Sequence, residues 1–242
     1  MSDAPGRSRF SLRTVARSAA ILTGGTAAAQ VVAILRELFV AANVGLSGEY
    51  DAVLIALVIP MTLATVATSG IVTALIPGYV DLQRERGREQ ASRLASTVLT
   101  WVALITALMA VALVLAADPL VRLVGPGLAP ATHDQAVAYL LMLAPVVMVI
   151  GVGGILNSIC QAEGRFGVMA WAAYLGPALA FGVMLATWDE AGLRALIVAN
   201  IVGPLISTVL LLLGVVRASV RLRPQLVARG LVPVPSCAMR SR

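Results

Sequence analysis

The stretch AILRELFVAANVGLSGEYDA (residues 33–52) sets Arg36 and Glu37 inside an apolar run and places Asp51 after a short Gly-containing loop. Apolar sequence continues on both sides for about 20 residues, the length a helix needs to cross a hydrocarbon core. The stretch therefore reads as the end of one membrane span, a tight loop and the start of the next. Its three charges are either routine end-of-helix charges or a site.

Composition supports the membrane reading. The chain has 242 residues, of which 59% are hydrophobic and 12% charged, and its mean hydropathy is +0.92. A soluble domain carries about 25% charged residues. Aromatics are only 5%, so the apolar content is Ala, Val, Leu and Ile. Six spans are expected, at 19–42, 52–79, 94–117, 136–159, 167–187 and 194–216. They form one transmembrane unit over 19–216, between an Arg-rich tail at 1–18 and a tail at 217–242 rich in Arg, Pro and Ser that reads as disordered. TAAAQ (residues 26–30) resembles a signal-peptidase site, but the apolar run continues through VVAIL and further spans follow, so an uncleaved N-terminus is expected.

The chain holds no lysine, and its net charge of +6 comes entirely from arginine. Fifteen of the 18 arginines fall in the two tails and in the loops after the second and fourth spans, while only Arg122 and Arg194 fall in the opposite segments. Those opposite segments carry Glu49, Asp51, Asp118, Asp134, Asp189 and Glu190. The positive-inside rule then puts both termini in the cytoplasm. The basic surplus faces anionic inner-leaflet lipids, and no nucleic-acid partner is needed to explain it.

The spans carry two polar stripes. Thr23, Thr26, Gln30 and Glu37 share one face of the first, and Thr62, Thr65, Ser69 and Thr73 share one face of the second. Such hydroxyls act as interhelical glue or line a hydrated path. Gln30, read as a buried amide, would require several partners. Prolines at 60, 145, 177 and 204 kink four spans, which fits a moving transporter as well as close packing. Arg36 lies 17 residues beyond Ala19, roughly 26 Å along the helix, near the outer edge of the core. It either snorkels to that interface or forms part of a gate. As adjacent residues, Arg36 and Glu37 point about 100° apart and are not expected to face each other. Asp51 can cap the second span or pair with Arg36 across the loop.

Enzyme chemistry has little support. The one histidine, His133, lies in an outer segment, Cys160 and Cys237 have no metal spacing, and no nucleophile–base pair or phosphate-cradling Gly loop is evident. No catalytic residue, cofactor, metal or ATP-binding site is expected.

Together these residues resemble a family. RELFVAANVGLSGEYDAVLIALVIP (residues 36–60) is similar to the first two helices of MurJ/MviN-type lipid II flippases, members of the MOP exporter superfamily, with Arg36, Glu37, Gly45, Asp51, Ala52 and Pro60 in the family's order. SGIVTALIPGY (69–79), LVRLVGPGL (120–128, resembling an outer loop) and LNSICQAEGRFGVMAW (156–171) continue the likeness, which covers about residues 20–215. The chain departs from the family at Met61, Ala64 and Thr65, where an Asn and then an arginine pair are usual, at Ser69, Gly70 and Ile71, where Glu-Gly-Ala is usual, and at Gln30, where an arginine is common.

The resemblance implies an all-α polytopic protein of the bacterial plasma membrane: about six helices forming one lobe of a MOP/MATE-like transporter. It implies translocation of lipid II or a related polyprenyl-linked glycan in envelope biosynthesis, with a second lobe or a second copy as partner. Arg36 would then hold an anionic headgroup, Asp51 would pair with it in an outward gate, and Glu37, Gln30 and Ser69 would complete the set of substrate or gate residues. A truncated, non-transporting remnant or scaffold, and an exporter of another amphiphilic metabolite, are the alternatives.

Overall fold

A computed structural model of the chain describes residues 12–45 and 48–217, with side chains from residue 23 onward. Among these residues there are seven helices and no strand, so the all-α expectation is borne out. The helices are α1 (Leu12–Val44), α2 (Gly48–Arg86), α3 (Arg88–Leu115), α4 (Ala117–Val124), α5 (Pro130–Ala162), α6 (Phe166–Ala191) and α7 (Leu193–Arg217). All but α4 are long and apolar enough to cross a membrane, which matches the six expected spans. The expected tails at 1–18 and 217–242 lie largely outside the described residues; α1 already begins at Leu12.

Two elements differ from the expectation. The helix expected over 52–79 runs on through Pro77 to Arg86, giving α2 39 residues, about 58 Å at helical rise. Its last turn ends in Arg84 and Arg86, whose charges suit the negative end of the helix dipole. Gly87, at φ 85°, then turns the chain directly into α3. The segment around LVRLVGPGL also proves partly helical. In α4, Asp118 in the first turn and Arg122 in the last pair at 3.1 Å, while Ala117 and Val121 are buried. A turn at Gly125–Gly127 follows, with Gly127 at φ 92°.

Packing is organised around α5, which lies against α2, α3 and α7. The other broad interfaces join α6 to α7, α1 to α6, and α2 to α3. At Gly176 the backbones of α6 and α7 come so close that a Cβ would meet Ser207 Oγ and the Gly203 carbonyl, the small-residue contact that membrane helices use for close approach. No broad interface joins α1 to α2. Buried apolar residues form two clusters. One, at the end that carries the acidic connections, includes Val40, Val53, Val121, Leu140 and Ile197. The other, at the arginine-rich end, includes Tyr79, Ala95, Ile155, Ile159 and Leu211.

Candidate functional site

Between the middle of the bundle and its acidic end, α1, α6 and α7 line an open cavity of about 330 Å³. Gln30 and Arg36 reach it from α1, Pro177 from α6, and Asn200, Pro204 and Ser207 from α7. Two prolines, Pro177 and Pro204, face the cavity from adjacent helices. Proline has no N–H to donate, so Pro204 leaves the carbonyl of Asn200, four residues before it, without its helical donor. Membrane helices tolerate a freed carbonyl where a neighbour or a wet space satisfies it.

Arg36 organises this space. Its Nη2 donates to Glu37 Oε1 at 2.8 Å, and Nη1 donates to Asn200 Oδ1 at the long distance of 3.5 Å. Asn200 Nδ2 donates to the Leu196 carbonyl one turn back. From α2, the Tyr50 hydroxyl donates to Glu37 Oε2 at 3.3 Å. Arg36 Nε is buried and has no partner among the described residues. The adjacent residues Arg36 and Glu37 thus do meet, against the expectation, because a long guanidinium stem can swing round to the next carboxylate. The side chains of Arg36 and Glu37 are 31% and 55% exposed, so the pair contributes little to stability. Its consequence is electrostatic: it leaves a net-neutral pair near the edge of the membrane core, where a single charge would be costly.

The other expected site residues fall apart in space. Gln30 lines the cavity but is exposed, so it is not the buried amide the sequence suggested. Asp51 is exposed in the first turn of α2, three residues past the start at Gly48. It therefore stands inside the helix, past the cap position, where the positive end of the helix dipole favours it. Arg36 makes its ion pair with Glu37 and not with Asp51. Ser69 lies 18 residues further along α2, about 27 Å away. It is exposed, and its hydroxyl donates to the Val66 carbonyl. Thr65 and Thr73 likewise donate to carbonyls of their own helix, at Met61 and Ser69. The second stripe is thus an exposed face on which Thr65, Ser69 and Thr73 bond within their own helix, and these three hydroxyls do not glue helices together.

Sequence reading missed Asn200, Tyr50 and Ser207. Asn200 had a usable signal: it is an isolated amide in the apolar run LIVANIVGP, four residues before a proline. A second polar cluster was missed entirely. At the arginine-rich end, Glu163 closes α5 with its side chain only 6% exposed. It accepts hydrogen bonds from the Tyr79 hydroxyl at 2.6 Å, from Gln83 Nε2 at 3.3 Å and from Arg88, with which it also forms an ion pair. Two residues on, Arg165 donates to the carbonyls of Gly214 at 2.9 Å and Arg217 at 3.1 Å, the last turn of α7.

Comparison with known proteins places this arrangement. A solved structure titled Lipid II flippase MurJ, inward closed conformation, superposes with a TM-score of 0.67 at 20% identity, covering 86% of this chain and 43% of that one. At that identity the likeness speaks for the fold. A protein of Synechocystis sp. described as a probable lipid II flippase MurJ is 34% identical over 145 residues, 60% of this chain and 27% of the relative. The chain thus spans less than half the length of these relatives. The family model described as Lipid II flippase MurJ matches residues 40–231, most of the sequence. The chain belongs to the MurJ lipid II flippase family.

Proposed function

We propose that this chain is one lobe of a flippase of the bacterial inner membrane. It carries a lipid-linked cell-wall precursor, lipid II or a related polyprenyl-linked glycan, across the bilayer. The observation that supports this most is family membership over residues 40–231, joined to a charged cavity on α1 in an otherwise apolar bundle. In this reading the chain works as a transporter and carries out no catalytic step. The arginine-rich end faces the cytoplasm and the Arg36 end faces outward, in keeping with the positive-inside rule.

The route runs along the exposed stripes of α1 and α2, and the polyprenyl tail stays in the bilayer. Alternating access requires a second bundle to move against the first, so a second lobe or a second copy faces these stripes. Arg36 holds the anionic headgroup. Its spare donor, Nε, and its half-exposed pairing with Glu37 leave the guanidinium free to exchange partners at low cost. Asp51, exposed at the start of α2, is the acceptor that closes the outward gate once Arg36 leaves Glu37.

The test is complementation of a flippase-depleted strain, with the chain expressed together with a second lobe of the family. Wild type rescues growth and Arg36→Ala does not. Full rescue by Arg36→Ala sinks the site assignment, and failure of wild type favours a non-transporting scaffold.

A further inference from the structure

A second surface feature lies on the other side of the bundle from the Arg36 cavity. An apolar groove of about 410 Å³ runs between α3 and α5, lined by Ala110, Val114 and Leu115 of α3 and by Leu141, Pro145 and Met148 of α5. That volume falls in the range of ligand pockets. It arises because Ala110 is too small to fill the gap and Pro145 interrupts the helical bonding of α5. Leu115 is 81% exposed and Val114 and Met148 are also exposed, so nothing in the described chain covers the groove.

The chain just beyond the α3 wall of the groove is charged. Leu115 is three residues before Asp118, which opens a polar cluster on α4 and the start of α5. Arg122 holds Asp118 at 3.1 Å. His133 places its two ring nitrogens 3.5 Å from Asp118 Oδ1 and 3.5 Å from Asp134 Oδ1. His133 Nε2 is buried and makes no hydrogen bond among the described residues. The cluster carries two carboxylates and one guanidinium beside the imidazole. On α4, Leu123 and Val124 are exposed beside Arg122, an apolar surface that suits a short helix at headgroup depth.

We propose that this groove is a binding site for a zwitterionic amino-phospholipid of the leaflet at the acidic end. One acyl chain lies in the α3–α5 groove, the phosphate meets Arg122, and the ammonium meets Asp134 and Asp118. The charge pattern chooses this class over anionic lipid. A headgroup with only a negative charge would meet a cluster with an acidic surplus, at the end of the lobe where carboxylates outnumber arginines. An ammonium reverses that repulsion, and the phosphate beside it still finds a guanidinium. The assignment is independent of what the lobe transports.

The protein is reconstituted into vesicles of equimolar phosphatidylethanolamine and phosphatidylglycerol, extracted gently, and its retained lipid is identified by native mass spectrometry. Lipid held at the arginine-rich end is common to wild type and variants, so the change between them is read: the ratio of phosphatidylethanolamine to phosphatidylglycerol is expected to fall roughly fivefold in Asp134→Asn, the selectivity of one exposed ion pair. Ala110→Phe, which fills the groove, lowers retention of phosphatidylethanolamine. Asp134 and Arg122 are exposed surface residues, so Asp134→Asn and Arg122→Gln carry the test if Ala110→Phe does not fold. A ratio unmoved by Asp134→Asn and by Arg122→Gln overturns the proposal.

Discussion

The two ends of this lobe are tied in opposite ways. At the arginine-rich end a single buried carboxylate, Glu163, gathers donors from α2 and α3, and Arg165 beside it caps α7. Both residues flank Gly164, whose φ of 69° makes the corner between α5 and α6. Three neighbouring helices therefore converge on one turn of chain. At the acidic end the charges are half exposed, the Arg36–Asn200 contact is long, and a buried donor stands beside an open cavity. A buried, fully bonded carboxylate fixes geometry, because breaking it strands its partners. A half-exposed pair can change partner, because water and neighbouring acceptors replace what it loses. One end is built to hold its shape and the other to rearrange.

Three substitutions test that contrast by their effect on unfolding in detergent. The largest is expected from Glu163→Ala, which leaves Tyr79 and Arg88 without their acceptor. Breaking a buried pair costs several kcal/mol, but Arg88 is half exposed, so a loss of about 2–3 kcal/mol is expected. Asn200→Ala removes the long hydrogen bond from Arg36 and the one to the Leu196 carbonyl of its own helix, and should cost about 1 kcal/mol. Arg93→Ala breaks the exposed i,i+4 pair with Glu89 and should cost no more than about 0.5 kcal/mol. If Asn200→Ala destabilises the protein as much as Glu163→Ala, the acidic end is as rigid as the other and the contrast fails.

The sequence shows what is local and periodic. Six spans were legible because lipid-compatible composition persists over about 20 residues at a time. The short helix α4 was not, since eight residues give too few turns for periodicity to register. The reach of α2 was understated because its last two turns are polar, and polar helix in water looks like loop to a hydropathy reading. Arg36 and Gln30, six residues apart on α1, both line the cavity. Asn200 lies 164 residues from Arg36, and Tyr79 lies 84 from Glu163, so only the packing of helices brings these partners together. In this structure the guanidinium of Arg36 pairs with the adjacent Glu37.

Helix α2 has a mechanical consequence. It contributes Tyr50 to the cluster at one face of the membrane, and Tyr79 and Gln83 to the cluster at the other. Tyr50 and Tyr79 are 29 residues apart, about 44 Å along the axis and within about 20° of eight whole turns. The two hydroxyls therefore project from nearly the same side of one rod. Torque applied at Tyr50 reaches Tyr79 unless the breaks at Pro60 and Pro77 absorb it, so α2 is a torsion bar with two built-in soft points.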